Sequence, residues 1–402
     1  MIRHLLKLVW NRKRAGALLM LEIFFSFLVT AVVATLGLFC WRNYRQPLGF
    51  SYRDVWQVAV DSKQWRGGEA PAAAARDTMS RLLRELQSLP RVEAAAGTMV
   101  VPFSTSDDVM IDDSGHGPVR MDFNVVSLDF DRVMGLHLVA GRWFGKGDEA
   151  LAWQPVVVNR NLARAAFGGA DPIGRRLGVP DPKGQEPERR VIGVVADYRK
   201  NGELAGDGNY LFLPQRQPGG GSGHLFASLL LRVRPGTTAA FEEELTGRLQ
   251  RIAPGWSFAV TTLAEMRASS FRLRLAPLLT GCVIALFLLA MVGLGLTGVM
   301  WQNLLQRTRE LGLRRAAGAS RAALLRQIVT EQLLLTTLSV GLATALVVQL
   351  PISRLAGALP GAVMAAGLAS AMAVIYALVI LCSLYPSVIA SRVPPAEALR
   401  FE

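Results

Sequence analysis

Residues 276–302 read APLLTGCVIALFLLAMVGLGLTGVMWQ, and a basic run, Gln306-Arg-Thr-Arg-Glu-Leu-Gly-Leu-Arg-Arg-Ala-Ala-Gly-Ala-Ser-Arg321, follows within a few residues. An uncharged apolar stretch of this length spans a bilayer, whose hydrocarbon core takes about 20 residues of helix. Working outward from it, 15–41, 328–350 and 362–385 have the same character, so the chain carries four candidate spans. Between the first two lies a long stretch, 42–275, of mixed composition. The whole chain of 402 residues is 51% hydrophobic yet 19% charged. It is too apolar for an ordinary soluble enzyme and too polar to be membrane throughout. The fold class expected is a polytopic α-helical membrane protein with a large two-lobed α+β domain inserted between its first and second transmembrane helices.

The basic residues orient it. Arg3, Lys7, Arg12, Lys13 and Arg14 precede the first span. Arg307, Arg309, Arg314, Arg315, Arg321 and Arg326 separate the second from the third, whereas the turn at 351–361 has only Arg354. Short cytoplasmic loops are rich in Lys and Arg. Both termini, the tail at 386–402 and the segment at 303–327 are therefore expected in the cytoplasm, and 42–275 outside it. The net charge of +13 is thus expected to serve the membrane surface and its lipids rather than nucleic acid. Within 1–14, Ile2, Leu5, Leu6, Val9 and Trp10 line one helical face and Arg3, Lys7 and Arg14 the other. That pattern describes an amphipathic helix lying along the cytoplasmic leaflet. No cleaved signal is read at the N-terminus. Cys40, Cys282 and Cys382 all fall in or beside apolar runs, so no disulfide is expected in the outer domain.

Within 42–275, strand-like runs at 52–61, 92–101, 225–233 and 257–263 alternate with helical ones at 72–88 and 238–252, and Pro90 and Pro254-Gly255 act as stops. These form two strand–helix–strand units, 42–101 and 224–275, expected to build the lobe nearest the membrane because both connect to spans. The intervening 102–223, with short strands at 156–158 and 191–195, is read as a second, distal lobe with a Gly-rich joint at 219–223.

The cytoplasmic segment has the build of a stiff connector. Gly312 is the one helix breaker from 306 to 317, and Glu310 stands four residues before Arg314, a favourable helical pair. Gly318 can end this helix in a left-handed conformation, and Ser320 can cap the next, which runs straight into the third span. Arginines placed only to orient the chain would not require the ordered Gly318-Ala319-Ser320 corner. A push on one helix would pass to the other with little flexing.

Several passages resemble one family. Asn159-Arg-Asn-Leu-Ala-Arg-Ala-Ala-Phe167, Asp171-Pro-Ile-Gly-Arg-Arg-Leu177, Val191-Ile-Gly-Val-Val-Ala-Asp-Tyr-Arg199 and the upstream Val139-Ala-Gly-Arg-Trp-Phe144 are similar to the periplasmic domain of MacB-type ABC permeases. The run from Gln306 to Arg321 resembles the signature REIGLRRALGAS of the MacB/FtsX superfamily, and Pro394-Pro-Ala-Glu-Ala-Leu-Arg400 its DPVEALR ending. The resemblance implies a bacterial inner-membrane permease that dimerises, either with a second copy or with a diverged sister. It also implies that Arg307, Arg309, Glu310, Leu311, Gly312, Arg314, Arg315, Gly318, Ala319 and Ser320 form a coupling helix docked on an ABC ATPase, with a periplasmic adaptor and an outer-membrane channel as further candidate partners. Export of a peptide, an antibiotic or a lipid-linked molecule is the leading expectation. The alternative is an FtsX-like regulator that activates a periplasmic cell-wall hydrolase, and a weaker third is a tethered sensor without energy coupling.

No G-x-x-x-x-G-K-[ST] phosphate loop occurs in the 402 residues. ATP and Mg²⁺ are therefore expected on a partner ATPase, a separate subunit, with no cofactor on this chain. No catalytic set is read either: His116 and His137 lack metal-type spacing, and Gly-x-Ser-x-Gly is absent. Asp107, Asp108, Asp112 and Asp113 match no EF-hand loop and read as a solvated turn, so no metal site is assigned. Glu22 lies inside a span, where an ionisable group is costly, whereas Glu331 falls near the cytoplasmic end of its own span, where no special role follows. It is read either as serving a dimer seam or a proton-linked step, or as pairing with Lys13 or Arg14 or snorkelling to the interface. Gly293, Gly295, Gly298 and Gly367 allow close helix packing.

Overall fold

The computed structural model of the chain describes residues 13–62, 72–104, 109–113, 117–178, 187–215, 226–306, 320–349 and 360–392. The elements follow in the order α1 (Lys13–Tyr44), β1 (Val55–Ser62), α2 (Ala72–Ser88), β2 (Val92–Thr98), β3 (Val109–Asp113), β4 (Pro118–Val126), α3 (Phe130–Met134) and β5 (Leu138–Gly141). After a 3₁₀ turn (Lys146–Ala150) come β6 (Gln154–Asn159), α4 (Arg160–Phe167), β7 (Arg176–Leu177), β8 (Arg189–Val195), β9 (Tyr210–Pro214) and β10 (Ser228–Val233). The chain then forms α5 (Ala239–Ile252), β11 (Trp256–Thr262), α6 (Leu263–Gln306), α7 (Arg321–Gln349) and α8 (Gly361–Arg392). Two compact units result, Asn43–Arg274 and the remainder.

The unit Asn43–Arg274 is built on one mixed sheet, ordered β11-β1-β10-β2-β4-β9-β6-β8-β5, with β3 added to β4 and β7 to β8. Side chains of a strand alternate between faces, and the two cores follow that alternation. Trp56, Val58 and Val60 of β1, Leu229 and Leu231 of β10, and Leu211 and Leu213 of β9 enter one core. Helix α2 covers that face with Met79, Leu82 and Leu86, α5 with Phe241, Leu245 and Leu249, and α4 with Leu162 and Phe167. Each such buried side chain stabilises the fold by roughly 1.5–3 kcal/mol. The neighbours Val55, Leu230, Tyr210 and Phe212 face the opposite core, an aromatic layer with Phe50, Phe130, Trp143 and Tyr198.

The sheet has a seam. β11, β1, β10 and β2 come from 55–98 and 228–262, and β4, β9, β6, β8 and β5 from 118–214. The halves meet at a single registered pair, Thr98 with Val126. Beyond it the strands diverge, and a buried amide fills the gap. Asn124 accepts from the Val100 N–H at 2.9 Å and donates to the Val100 carbonyl at 2.8 Å. It therefore stands in for a missing strand partner.

The second unit holds four helices long and apolar enough to cross a membrane. Leu19, Ile23, Phe27 and Ala31 form a stripe on α1 that packs with Val292 and Leu296 of α6, Val340 and Ala343 of α7, and Ala371, Ile375 and Val379 of α8. Glycines bring the backbones together: a Cβ on Gly367 would overlap Thr35, and one on Gly281 would lie 2.9 Å from the Val33 side chain. A Cβ on Gly293 would lie 3.5 Å from Cys382 Sγ, whereas one on Gly298 would meet open space. The other faces expose Leu18, Phe25, Leu286 and Leu342, as suits contact with lipid tails.

Some boundaries differ from those expected. The helix at 72–88 is α2 residue for residue, whereas α6 begins at Leu263, well before 276. Hydropathy registers the apolar part of a helix and not its polar extension. The extension starts with a capping box: Thr262 Oγ1 accepts from the Glu265 N–H at 3.1 Å, and the Glu265 carboxylate accepts from the Thr262 N–H at 3.2 Å. The strands at 156–158 and 191–195 are parts of the longer β6 and β8, and β4 and β9 were not expected. The segments 1–12 and 393–402, the joint at 219–223, and Asp107, Asp108 and His116 lie outside the described residues.

Candidate functional site

The stretch after β8, which closes the passage Val191–Arg199 of the sequence, turns back on both helices that leave the domain unit. Arg199 is its hub. The Nη1 group donates to the Asn43 carbonyl at 2.7 Å and to the Gln46 carbonyl at 3.4 Å, at the end of α1 and just past it. The Nη2 group donates to the carbonyls of Glu203, at 3.2 Å, and Ala205. The Nε faces the Asp207 carboxylate at 3.1 Å. The Arg199 side chain is 1% exposed. Burial lowers its proton affinity from the ordinary arginine value, and the nearby Asp207, Glu203 and Asp197 carboxylates oppose that. An arginine has so high a starting value that it stays cationic. Its backbone N–H also donates, to the Leu48 carbonyl at 3.0 Å.

The approach of the two segments depends on Gly49, whose φ of +81° is left-handed and whose hydrogen faces the Asp197 carbonyl. A Cβ there would overlap that group. Phe50 then packs on Tyr198, their ring centroids 5.2 Å apart. Full burial keeps the Tyr198 phenol well above its usual pKa. Lys200 pairs with Asp122 of β4 at 3.6 Å and accepts, through its carbonyl, from the Phe103 N–H at 2.8 Å. The loop is thus fixed to the sheet on one side.

On the other side it holds α6. The Glu203 carboxylate, 9% exposed, accepts from Arg267 Nε, and the Arg267 guanidinium stacks over the Tyr52 ring at 4.6 Å. Phe271, one turn further along α6, meets Tyr44 of α1 edge-on, with centroids 6.3 Å apart. One short loop therefore grips the end of α1, the beginning of α6 and the sheet. Its chemistry is mechanical. A buried cation on backbone carbonyls fixes positions and offers no nucleophile or proton acceptor to a substrate.

Of the residues singled out in the sequence, Ser320 precedes α7, and its Oγ accepts from the Ala323 N–H at 3.2 Å, the bond of an N-cap. Arg307, Arg309, Glu310, Leu311, Gly312, Arg314, Arg315, Gly318 and Ala319 lie outside the described residues. Glu22 is half-buried on α1 and faces Gly295 of α6, where a Cβ would come within 2.7 Å of its Oε2. The roles of Glu203, Asp207 and Arg267 were not read from the sequence. The available signal was Asp197-Tyr-Arg199 closing an apolar strand, with Glu203 and Asp207 just beyond it.

Two family models cover most of the chain: the MacB-like periplasmic core domain matches residues 17–248, and the FtsX-like permease C-terminal matches 282–395. The chain belongs to the MacB-like family of ABC transporter permeases. Four apolar helices and this membership make it a multi-pass protein of the inner membrane. Among its MacB-like relatives, the macrolide export ATP-binding/permease protein MacB of Chromobacterium violaceum is 29% identical over 55% of this chain and 34% of its own length. The probable syringafactin export ATP-binding/permease protein SyfD of Pseudomonas syringae pv. tomato is 29% identical over 57% of the chain and 34% of its length. The MacB of Agrobacterium fabrum is 24% identical over 97% of the chain and 59% of its length. The matched region is thus about a third of the first two relatives' length.

Proposed function

We propose that this chain is the permease part of a MacB-type ABC exporter, passing ATP-driven motion from an ABC ATPase to the domain built by 43–274. The observation that carries the reading is α6. A single helix of 44 residues bears Arg267, gripped by Glu203, near its start and ends at Gln306, directly before the basic segment. Its 44 residues amount to about 66 Å of helix at 1.5 Å per residue, and Pro277 inside it leaves one i→i−4 hydrogen bond unmade, so the continuous backbone joins an input to an output with one softened turn. In this reading Glu310 and Arg314 belong to a helix that docks on the ATPase, and the Ser320 cap delivers the same push to α7. ATP and Mg²⁺ act on the ATPase, because these 402 residues contain no phosphate loop.

Both termini and the 303–327 segment are cytoplasmic, and the domain is periplasmic with 102–223 as its distal lobe. The basic flanks support this orientation. The domain opens and closes around a periplasmic substrate of the peptide, antibiotic or lipid-linked kind. Relatives named for macrolide and syringafactin export support an export role. The permease works as a pair, with a second copy or a sister chain, and an adaptor and outer-membrane channel complete the route. Purification of the tagged chain from native membranes, with subunits identified by mass spectrometry, tests the proposal. An ABC ATPase in fixed ratio to the permease is the expected result. A bound cell-wall hydrolase without substrate export would replace exporter by regulator, and no ATPase at all would end both.

A further inference from the structure

The two ends of the strand order are not alike. β5 has four residues and meets β8 with a shifted register. Shortness and irregular register are among the usual protections of a sheet edge against pairing with a foreign strand. β11, at the other end, lacks them. Its sequence, Trp256-Ser-Phe-Ala-Val-Thr-Thr262, has no charge, no proline and no glycine, and its seven residues all pair with β1 without a break in register.

The ladder decides which backbone groups this edge offers. The Val60 N–H donates to the Ala227 carbonyl at 3.2 Å, on the β10 side. Backbone groups alternate in direction along a strand, so those of Gln57, Ala59 and Asp61 turn to β11. Their partners there are Thr261, Ala259 and Ser257. Trp256, Phe258, Val260 and Thr262 therefore direct their N–H and C=O groups outward. At the two ends the N–H groups are taken, Trp256 by the Ala253 carbonyl at 3.1 Å and Thr262 by the Glu265 carboxylate at 3.2 Å. Between them, among the described residues, neither Phe258 nor Val260 has a backbone hydrogen bond on that side.

Two copies of β11 complement each other. In an antiparallel pair centred on Ala259, Phe258 of each copy exchanges both backbone bonds with Val260 of the other. Phe258 against Val260 is an aromatic–β-branched pair, and Ser257 falls opposite Thr261, both favoured cross-strand classes. Phe258 and Val260 sit partly buried at the margin of the core, so the second copy would extend that core. Ala259 meets its own counterpart in a non-hydrogen-bonded pair, with Cα atoms about 4.5 Å apart, where a small side chain fits. Ser257 and Ala259 are exposed, and no like charges are brought together.

We propose that the β11 edge pairs with β11 of a second copy of this chain, joining two domain units into one sheet across a twofold axis at Ala259. The inference rests on the paired permease put forward above and names its contact. Anchoring of both copies in one membrane raises their effective concentration, which lets a short edge suffice.

The full chain, in its native membranes, is oxidised mildly as Ala259→Cys, as Ser257→Cys and as wild type. A disulfide-linked pair is expected from Ala259→Cys alone, because residue 257 lies opposite residue 261 and not its own counterpart. Co-expressed Ser257→Cys and Thr261→Cys copies should also cross-link. Adding Ala259→Lys to both should lower that yield about fivefold, since like charges would then be directly opposed, and Ala259→Lys on one copy with Ala259→Glu on the other should restore it. No disulfide in Ala259→Cys while differently tagged copies still co-purify overturns the edge contact and leaves the paired permease standing. Copies that do not co-purify overturn both. Equal yields from Ser257→Cys and Ala259→Cys, or a lysine effect that the opposite-charge mixture does not relieve, also overturn the edge contact.

Discussion

Arg199 Nη1 donates to the Asn43 carbonyl at 2.7 Å across 156 residues of sequence, fastening the loop after β8 to the end of the first membrane helix. The same guanidinium holds the loop's own carbonyls, and the loop's Glu203 holds Arg267 of α6. Removing it should loosen both helix ends together. Arg199→Met strands buried carbonyls that each cost about 1–3 kcal/mol when unpaired, so a loss of about 3 kcal/mol is expected. Arg199→Lys, with a single ammonium in place of a fork, should recover less than half. Hydrogen exchange should quicken at the Arg199 and Leu48 region and also along 263–271. Exchange confined to the loop would show that the two helices are held independently of it.

Two glycines make opposite predictions from similar crowding. A Cβ on Gly49 meets the Asp197 backbone at a left-handed φ, so Gly49→Ala should cost more than about 3 kcal/mol. A Cβ on Gly295 meets the tip of the Glu22 side chain, which can swing away, so Gly295→Ala should cost less than about 1 kcal/mol. Thermal unfolding of the two variants in detergent gives the comparison. Equal losses would mean that Glu22 is held as firmly as backbone.

The seam of the sheet rests on Asn124. Its amide also exchanges bonds with Thr98 Oγ1 at 2.9 and 3.1 Å, and the residue is fully buried. Asn124→Ala leaves the Val100 N–H unpaired and its carbonyl with only the bond from Thr98 Oγ1 at 2.8 Å, and should destabilise by about 1–3 kcal/mol. Asn124→Asp keeps the acceptors and loses the donors, so it should fall at least as far near neutral pH. Chemical denaturation followed by Trp fluorescence measures both.

Acid should weaken the domain partly through Asp148. The Arg142 guanidinium grips that carboxylate at 2.7 and 2.5 Å, and the Gly145 N–H adds a bond at 2.8 Å. The bond from Arg142 holds the Asp148 pKa below its ordinary value, burial opposes this, and the Gly145 bond assists. A pKa depressed by folding contributes stability that is complete above the unfolded value of about 3.9 and is lost as pH falls through the folded value. Stability should thus hold from neutrality to about pH 4.5 and decline below pH 4. Asp148→Asn should start lower and decline less. An identical acid profile in wild type and variant would remove Asp148 from the explanation.

Much of this architecture was legible in the amino-acid sequence, and its omissions have physical causes. Spans declare themselves because every residue in them faces lipid or another apolar helix. Helix α2 matched residue for residue because Pro90 stops it and its apolar positions recur at helical spacing. Strand β9 escaped because Tyr210, Leu211, Phe212 and Leu213 are all buried, which erases the alternation that marks a strand. The Arg199 joint escaped for another reason. Its contacts join residues 64 and 156 positions apart, a distance that local periodicity does not reach. The passage ending at Arg199 carried the family resemblance without revealing that its arginine holds Asn43 and Gln46, and that the loop it begins holds Arg267.

In the proposed mechanism, motion entering near Glu310 and Arg314 reaches the domain along α6. Glu243, on α5, and Arg164, on α4 in the other half of the sheet, are both exposed, and spin labels there report distance by double electron–electron resonance in the complex with its ATPase. The expected result is a shift in that distance on ATP binding in the wild type, and its loss in Glu310→Ala/Arg314→Ala while the ATPase still binds ATP. A distance that shifts equally in the variant, or that never responds to ATP, would contradict the account.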